Sequence, residues 1–301
     1  MIEFKAVTLL DKEWIDQHVM CENVPSADYN FGNMFIWDEH YRQLVCCYGD
    51  RTLTKVRLHG EPAFVFPIGC GPLRPAMEAI REYAAARGYP LILRGVTEEH
   101  RRQLEAEYPG RFEFCEETRW ADYIYEAERL ATYAGKALHG KKNHCNRFEA
   151  EHEWQFVPLT RELIPACLQM LEDWTKENEE RLDKSIVYEH DAIERAFTHY
   201  EALGLEGGVL YADGKILGFS FGEMTSSDTF NVHVEKAAAD INGAYPMVCR
   251  ELVRMLMEKH PELVWINRED DMGLESLRKS KESYKPAYLL KKYAAQWIGE
   301  E

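Results

Sequence analysis

Two charged segments hold the residue types that bind anions and move protons. The first runs from Asn267 to Pro286, directly after the apolar, strand-like stretch Leu263 to Ile266. Charged groups at the carboxyl end of a strand are typical of a ligand site. Its candidate site residues are Asn267, Arg268, Asp271, Arg278 and Lys281. Arg278 and Lys281 lie three residues apart, so on a helix they would present a guanidinium fork beside an ammonium to one phosphate or carboxylate.

The second segment, Gly135 to Phe148, contains four Lys or Arg, two His and no acidic residue in a chain of net charge −16. Such a local reversal of sign indicates an anion as ligand. On a helix, Lys141, His144 and Lys142 can point one way, because residues three and four apart share a face. The candidate anion-binding residues here are Lys136, Lys141, Lys142, His144 and Arg147. The alternative is a solvated helix surface between two halves of the chain.

For the first segment too, the alternative to ligand binding is a purely structural role. Arg268 with Asp271, and Glu275 with Arg278 or Lys279, would form ion pairs that only stiffen the turn.

Alternating and helical periodicities predict the elements that position these segments. In the first half they predict the order β-α-β-β-β-α-β-α-β, and the second half repeats it, with two helices after its first strand. The predicted elements include a strand from Phe4 to Leu10, a helix beginning after Asp11, a helix capped by Thr97, a strand from Trp154 to Pro158, and a helix from Ala244 to Lys259. The sequence therefore predicts an α+β protein with two similar domains.

The loop Asp240 to Pro246 precedes the predicted helix that begins at Ala244. The first turn of a helix presents backbone amides that bind phosphate or carboxylate. Asn242, Gly243 and Ala244 are therefore candidate loop residues for a donor. A simple turn before a helix is the alternative interpretation.

Composition narrows the class of protein. At 301 residues with 46% hydrophobic and 12% aromatic residues, the chain can bury two ordinary cores, which excludes disordered and collagenous classes. The acidic surface disfavours DNA as a partner, although a basic groove could bind one tRNA end. We expect a cytoplasmic protein without an integral membrane segment or an exported leader.

Eight cysteines are spread along the chain without a C-x-x-C pair, so no zinc or redox spacing is present. We expect reduced, buried thiols and no metal. No Walker loop, Gly-x-Ser-x-Gly elbow or His-Glu-x-x-His motif appears, which gives hydrolase, NTPase and metalloprotease functions no support.

The two charged segments resemble the C-terminal domain family of phosphatidylglycerol lysyltransferases. The matching residues are Tyr123-x-Tyr125, Gly135-Lys136, His139, Lys141-Lys142-x-His144-x-x-Arg147-Phe148, and Asn267-Arg268-x-x-Asp271-x-Gly273-x-x-x-Leu277-Arg278-x-x-Lys281-x-x-Tyr284-x-Pro286. This resemblance implies two tandem GNAT-like (acyl-CoA N-acyltransferase-like) domains, each a mixed, mostly antiparallel sheet flanked by helices. It also implies a relation to Fem-type enzymes, which move an amino acid from aminoacyl-tRNA to an amine or hydroxyl. It does not imply a lipid acceptor, because the membrane-spanning half of the lipid synthases is absent from this chain.

The GNAT resemblance departs from its usual pattern at two places. Asp240 and Tyr245 stand where the coenzyme A loop has a Gln or Arg and a small residue. Arg278 or Lys279 lies near the position of the usual Tyr acid, and Tyr284 is expected to pack in the core. The candidate catalytic residues are Glu223, His233 and Asp271, since a carboxylate or His can deprotonate an amine. Glu223 and His233 lie on neighbouring predicted strands. Each strand residue could instead be a hydrogen-bonded structural group.

These observations predict a bacterial-type protein with an N-terminal GNAT-like domain (1–134), a basic connecting helix (135–150) and a C-terminal GNAT-like domain (151–301) that holds the active cleft. The expected activity is direct transfer of an acyl group, preferably aminoacyl, to an amine or hydroxyl. The expected donor is aminoacyl-tRNA or acyl-CoA. An N-acetyltransferase using acetyl-CoA and a non-catalytic binder of a small anionic metabolite are the alternatives.

Overall fold

The structure is a computed structural model that describes residues 2–58, 60–178 and 184–299. The strands are β1 (Lys5–Ala6), β2 (Leu44–Tyr48), β3 (Arg51–Leu58), β4 (Glu61–Gly69), β5 (Ile92–Thr97), β6 (Phe112–Glu116), β7 (Asp122–Glu126), β8 (Trp154–Pro158), β9 (Glu206–Ala212), β10 (Lys215–Met224), β11 (Thr229–Ala237), β12 (Trp265–Asn267), β13 (Tyr288–Leu290) and β14 (Lys292–Trp297). The helices are α1 (Lys12–Glu22), α2 (Phe31–Ile36), α3 (Asp38–Tyr41), α4 (Leu73–Ala85), α5 (Glu98–Glu107), α6 (Ala127–Thr132), α7 (His139–Glu151), α8 (Ile164–Asn178), α9 (Lys184–Thr198), α10 (Tyr200–Leu203), α11 (Ala244–Lys259) and α12 (Glu275–Ser283).

The chain divides into two compact units. Unit 1 comprises Met1–Asp122, Asp270–Gly273 and Leu289–Glu301, and unit 2 comprises Tyr123–Glu269 and Leu274–Tyr288. Each unit is built on one seven-stranded sheet, in the order β1-β2-β3-β4-β5-β14-β6 in unit 1 and β13-β7-β12-β11-β10-β9-β8 in unit 2. Both sheets are mixed, since β4 runs parallel to β5 and β11 runs parallel to β12, while β2, β3, β9 and β10 pair antiparallel with their neighbours. The predicted α+β fold with two similar domains is confirmed.

The two sheets exchange one strand each. β7 follows unit 1 in the sequence but pairs with β12 in the second sheet. β14 comes last among the strands but lies between β5 and β6 in the first sheet. The predicted boundaries at 134 and 151 therefore do not coincide with the compact units, because strand pairing joins segments from opposite ends of the chain.

Helix positions follow the apolar periodicity. In α4 the buried side chains recur at three and four residues and cover the first sheet; they are Leu73, Ala76, Met77, Ile80, Tyr83 and Ala84. Thr97 caps α5 by accepting from His100 N at 3.3 Å, as predicted. The predicted bounds of β8 and α11 are confirmed.

The first predicted strand, Phe4 to Leu10, is wrong over most of its length. Only Lys5–Ala6 form a strand, and Leu9–Asp11 form a single 3₁₀ turn. The carboxylate of Asp11 accepts from Thr8 N at 2.9 Å and from Thr8 Oγ1 at 2.8 Å, so it closes this turn instead of capping α1. A carboxylate that bonds to its own preceding backbone competes with extended structure.

The cysteines differ from the expectation of reduced, buried thiols. Cys21, at the end of α1, and Cys70, just after β4, form a disulfide across a sequence separation of 49. Cys47 and Cys115 are exposed. Spacing along the chain did not reveal the pair, because folding brings α1 against β4.

We expect six of the eight cysteines to react with a thiol reagent after denaturation without a reductant, because two are joined. Reduction before denaturation should raise the titre to eight. A Cys21→Ser, Cys70→Ser double variant should give six thiols under both conditions. Eight thiols in the unreduced wild-type protein would contradict the disulfide.

Within the described residues, no helix is both long and apolar enough to cross a membrane.

Candidate functional site

The second sheet opens between β11 and β12. These strands pair over three positions, Thr229 with Trp265, Phe230 with Ile266 and Asn231 with Asn267. β12 then ends, while β11 continues to Ala237. We call this opening the split. The residues after β12 lie where the ladder would otherwise continue.

A β-bulge in β11 sets the side chains that line the split. Gly222 of β10 pairs with Val232 and Phe221 pairs with Val234, so His233 has no opposite residue on β10. A bulge inserts one residue and re-aims the neighbouring side chains. Glu235 and His233 therefore join two different clusters instead of one row.

The first cluster gathers predicted cations around one carboxylate, and we call it the cation cluster. Arg268 Nη2 donates to Glu235 Oε1 at 2.7 Å. Lys141 Nζ lies 3.7 Å from the centroid of the buried Tyr284 ring, and the Arg268 guanidinium lies 4.4 Å from the same centroid. Lys281 Nζ donates to the backbone oxygen of Arg268. Lys141, Arg268 and Lys281, from the two charged segments, thus meet inside unit 2.

Burial shifts the pKa values of the ionisable groups in this cluster. It lowers the pKa of Lys141, and the Arg268 charge lowers it further. Burial also raises the pKa of Glu235, although Arg268, Lys141 and Lys281 oppose the shift. An additional anion beside these cations would therefore be stabilised by their positive charges.

Two donors in the cation cluster lack acceptors. Arg268 Nη1 is buried and has no hydrogen-bond partner, and Lys141 Nζ has neither a hydrogen bond nor an ion pair, in the part of the chain that the structure describes. Buried donors are normally satisfied, so the buried Arg268 Nη1 indicates a ligand oxygen, and the half-buried Lys141 lies over the same ring.

The second cluster is built around His233, whose side chain is completely buried. His233 Nε2 lies 3.0 Å from Glu223 Oε1, and His233 Nδ1 lies 3.0 Å from Glu269 Oε1. Asn231 Nδ2 also donates to Glu269 Oε1, at 2.9 Å. Burial alone would lower the pKa of His233, but the two carboxylates raise it to about 9. The ring is therefore a cation at neutral pH, and it has no lone pair with which to accept a proton.

The His233 charge should appear in a pH titration. Its pKa is raised from an ordinary 6.5 to about 9, so protonation stabilises the folded state fully below pH 6.5, and this contribution is lost as the pH rises through about 9. We expect ¹⁵N-detected NMR of the imidazole to show a midpoint near 9. A midpoint at or below 6.5 would contradict the Glu223–His233–Glu269 arrangement.

The predicted donor loop is covered by α7. Gly243 has a φ of 93°, and a Cβ added there would lie 2.6 Å from the backbone oxygen of His144. His144 Nδ1 lies 2.6 Å from Asn242 Oδ1, and Ala244 N donates to Ile241 O at 3.2 Å. The basic helix thus packs directly on the start of α11. Gly243 is required for this close approach, which a side chain would block.

The remaining predicted residues differ in their exposure and in their partners. Lys136, Lys142 and Arg147 are exposed, and Arg147 pairs with Glu151 at 2.8 Å. Arg278 is half-buried on α12. Asp271 belongs to unit 1, where its Oδ1 accepts from Gly273 N at 2.8 Å.

The other predicted residues of the terminal segment act locally. Asn267 ends β12 and accepts from Glu269 N at 2.7 Å. Of the alternative ion network, Glu275 pairs with Lys279 at 2.6 Å on the surface, while Arg268 bonds Glu235 in place of Asp271.

Sequence reasoning missed Glu235, Glu269 and Asn231. A signal was available, because Asn231, His233 and Glu235 alternate along a strand whose intervening residues are apolar. Three polar residues in register on a central strand indicate a site more strongly than any one of them. Among the described residues, no group of three or more His, Cys, Asp or Glu is arranged to hold a metal ion.

Two seven-stranded mixed sheets in tandem, each with a parallel pair inside it, define a protein with two GNAT-like domains. The sequence model of the family "Phosphatidylglycerol lysyltransferase, C-terminal" matches residues 23–296, and the chain belongs to this family.

Three known proteins illustrate the similarity. A conserved protein of unknown function from Bacteroides thetaiotaomicron is 36% identical, with a TM-score of 0.93 over 99% of this chain and 100% of that one. The structure of L-PGS from Bacillus licheniformis is 16% identical and has a TM-score of 0.61 over 92% and 93% of the two chains, which shows a common fold. An uncharacterised protein of Mycoplasmoides gallisepticum is 28% identical over 59% of this chain, and the match spans 56% of that protein's length.

Proposed function

We propose that unit 2 transfers an acyl group, preferably aminoacyl, from an anionic donor to an amine or hydroxyl. Family membership supports the reaction class. The observation that carries the proposal is the buried, unsatisfied donor Arg268 Nη1, which lies with the half-buried ammonium of Lys141 at the ring of Tyr284. These groups would bind a donor phosphate or polarise its acyl carbonyl, where developing negative charge is stabilised most effectively by fixed cations.

Direct transfer requires that the acceptor lose a proton. The imidazolium of His233 is not a base below about pH 9, so its part is to orient the carboxylates of Glu223 and Glu269. A carboxylate of this cluster, Glu223 in first place, would then accept the proton of an incoming amine. No covalent enzyme intermediate is needed, because proximity and carbonyl polarisation supply the main effects.

The covered start of α11 supports one donor class over the other. Because α7 packs on Gly243, the amides at the start of α11 are less available for the pyrophosphate of coenzyme A. This arrangement favours aminoacyl-tRNA over acyl-CoA as the donor. The exposed Lys136 and Lys142 would attract a polyanion at longer range, whereas Arg147 is paired with Glu151.

The test is donor binding by a Lys141→Met variant. Calorimetry would use coenzyme A and an RNA microhelix that ends in a 3′-aminoacylamino group, which resists hydrolysis. We expect the microhelix to bind the wild-type protein and to bind the variant about 10- to 100-fold more weakly, since one charge-assisted hydrogen bond contributes about 1.5–3 kcal/mol.

The matched control is Arg147→Met, which removes an exposed cation from the same helix. It should change the affinity by less than about threefold, since exposed charges contribute little. Equal binding by wild type and Lys141→Met would refute the role of the cation cluster. Binding of coenzyme A alone would favour the acetyl-CoA alternative.

A further inference from the structure

The side chain of Asn231 is fully buried and only half satisfied. Its Nδ2 donates to Glu269 Oε1 at 2.9 Å, whereas its Oδ1 has no hydrogen-bond partner among the described residues. Nδ2 also lies 3.1 Å from His233 Nδ1, and turning the amide over would place Oδ1 against the carboxylate of Glu269, so that the bond donated to Glu269 would be lost. A buried acceptor is thus present without a donor.

The neighbouring carboxylates also have unused oxygens. Glu269 receives Asn231 and His233 on Oε1, and Glu223 receives His233 on Oε1. Within the described part of the chain, neither Oε2 accepts a hydrogen bond. The side chain of Glu269 is 22% exposed, so a small group can reach it from solvent.

Charge selects the kind of donor that fits. The cationic His233 offsets only one of the two carboxylates, which leaves one negative charge. Lys281 also acts on Glu269 and reduces this excess of negative charge, while its ammonium donates to the backbone oxygen of Arg268. A hydroxyl would bring one donor and no charge. A primary ammonium brings three donors and a positive charge.

We propose that Asn231 Oδ1 and Glu269 Oε2 bind the primary ammonium group of a substrate at the split, apart from the cation cluster. This inference rests on the proposed acyl-transfer function. In a transferase, the ammonium belongs either to an amine acceptor or to the amino group of the aminoacyl donor. The anion and the ammonium then occupy separate subsites on either side of the β11–β12 opening.

The first test uses n-butylammonium chloride as the probe and the NMR signal of the His233 ring as the readout. We expect a saturable shift with this probe, and none with n-butanol or tetramethylammonium chloride, which lack either the charge or the N–H donors. Asn231→Leu and Glu269→Gln should each weaken binding about tenfold or more, because each removes one acceptor of a charged donor.

The control variant is Asp213→Asn. It removes an exposed carboxylate that also bonds a histidine, at 2.6 Å, and should leave the affinity unchanged. Circular dichroism at the titration temperature establishes that each variant is folded. Because Asn231→Leu leaves both carboxylates and His233 in place, it tests the site even if Glu269→Gln unfolds.

The second test assigns the ammonium to its source. It compares a 3′-aminoacylamino-adenosine with the analogue that carries a hydroxyl in place of the α-amino group. If the donor supplies the ammonium, the hydroxyl analogue binds about tenfold more weakly and n-butylammonium competes with the amino compound. If the acceptor supplies it, both analogues bind equally and n-butylammonium binds alongside them.

The proposal is overturned if n-butylammonium gives no saturable shift, or if its affinity is the same in Asn231→Leu as in the wild type. This outcome is distinct from failure of the transferase proposal. If the adenosine analogues do not bind while n-butylammonium does, the ammonium site stands and the proposed donor is wrong.

Discussion

Replacing Lys292 with methionine should lower the free energy of unfolding by about 3–5 kcal/mol, the usual effect of removing one partner from a buried ion pair. Lys292 is 1% exposed and bonds Asp122 at 2.7 Å and Asp28 at 3.0 Å. Burial alone would lower the pKa of Lys292, but Asp122 and Asp28 raise it above its usual value. The methionine side chain resembles the aliphatic part of the lysine side chain but carries no charge. The substitution therefore leaves the fully buried Asp122 without its cation.

Urea unfolding followed by circular dichroism measures this loss. The neighbouring Lys291→Met is the matched control, since Lys291 is exposed and bonds Glu116 on the surface, at 3.1 Å. That change should stay within about 0.5 kcal/mol. If the two variants had equal stability, the buried ion pair would have no structural importance.

Replacing Arg268 with methionine should have two effects of different origin. It leaves Glu235 buried without its partner, which should lower stability by about 3–5 kcal/mol. It also removes the unsatisfied Nη1 donor, so binding of the aminoacylamino microhelix should fall at least about 10- to 100-fold. A single variant does not separate these effects.

A double variant, Arg268→Met with Glu235→Leu, separates them. Replacing a buried pair by apolar residues of similar volume is often neutral for stability. We therefore expect the double variant to regain most of the lost stability while donor binding stays weak. Recovery of both properties would show that Arg268 only neutralises Glu235.

Local chemistry explains the parts of the fold that the sequence predicted. The period of apolar residues in α11 and the Thr97 cap act within one element, and the structure has both as predicted. The density of charge in two segments predicted that their cations, Lys141 and Arg268 among them, meet at one site. The family resemblance strengthened this prediction. The structure brings these side chains to one ring.

Long-range pairing explains the parts that the sequence did not predict. The bulge at His233 changes which side chains share a cluster, and no residue type in β11 marks it. Glu235 joins its cluster through Arg268, which lies 33 residues further along the chain. The Cys21–Cys70 disulfide and the placement of β14 depend likewise on segments that are distant in sequence.

The exchange of strands between the two sheets also limits the order in which the sheets can be completed during synthesis on the ribosome. The first sheet needs β14 between β5 and β6, and Asp122 needs Lys292, yet both are translated after all of unit 2. Domains usually fold as they emerge, N-terminal first. Here the second sheet gains its last strand, β13, at its edge, whereas the first sheet lacks the interior strand between β5 and β6 until β14 has been synthesised.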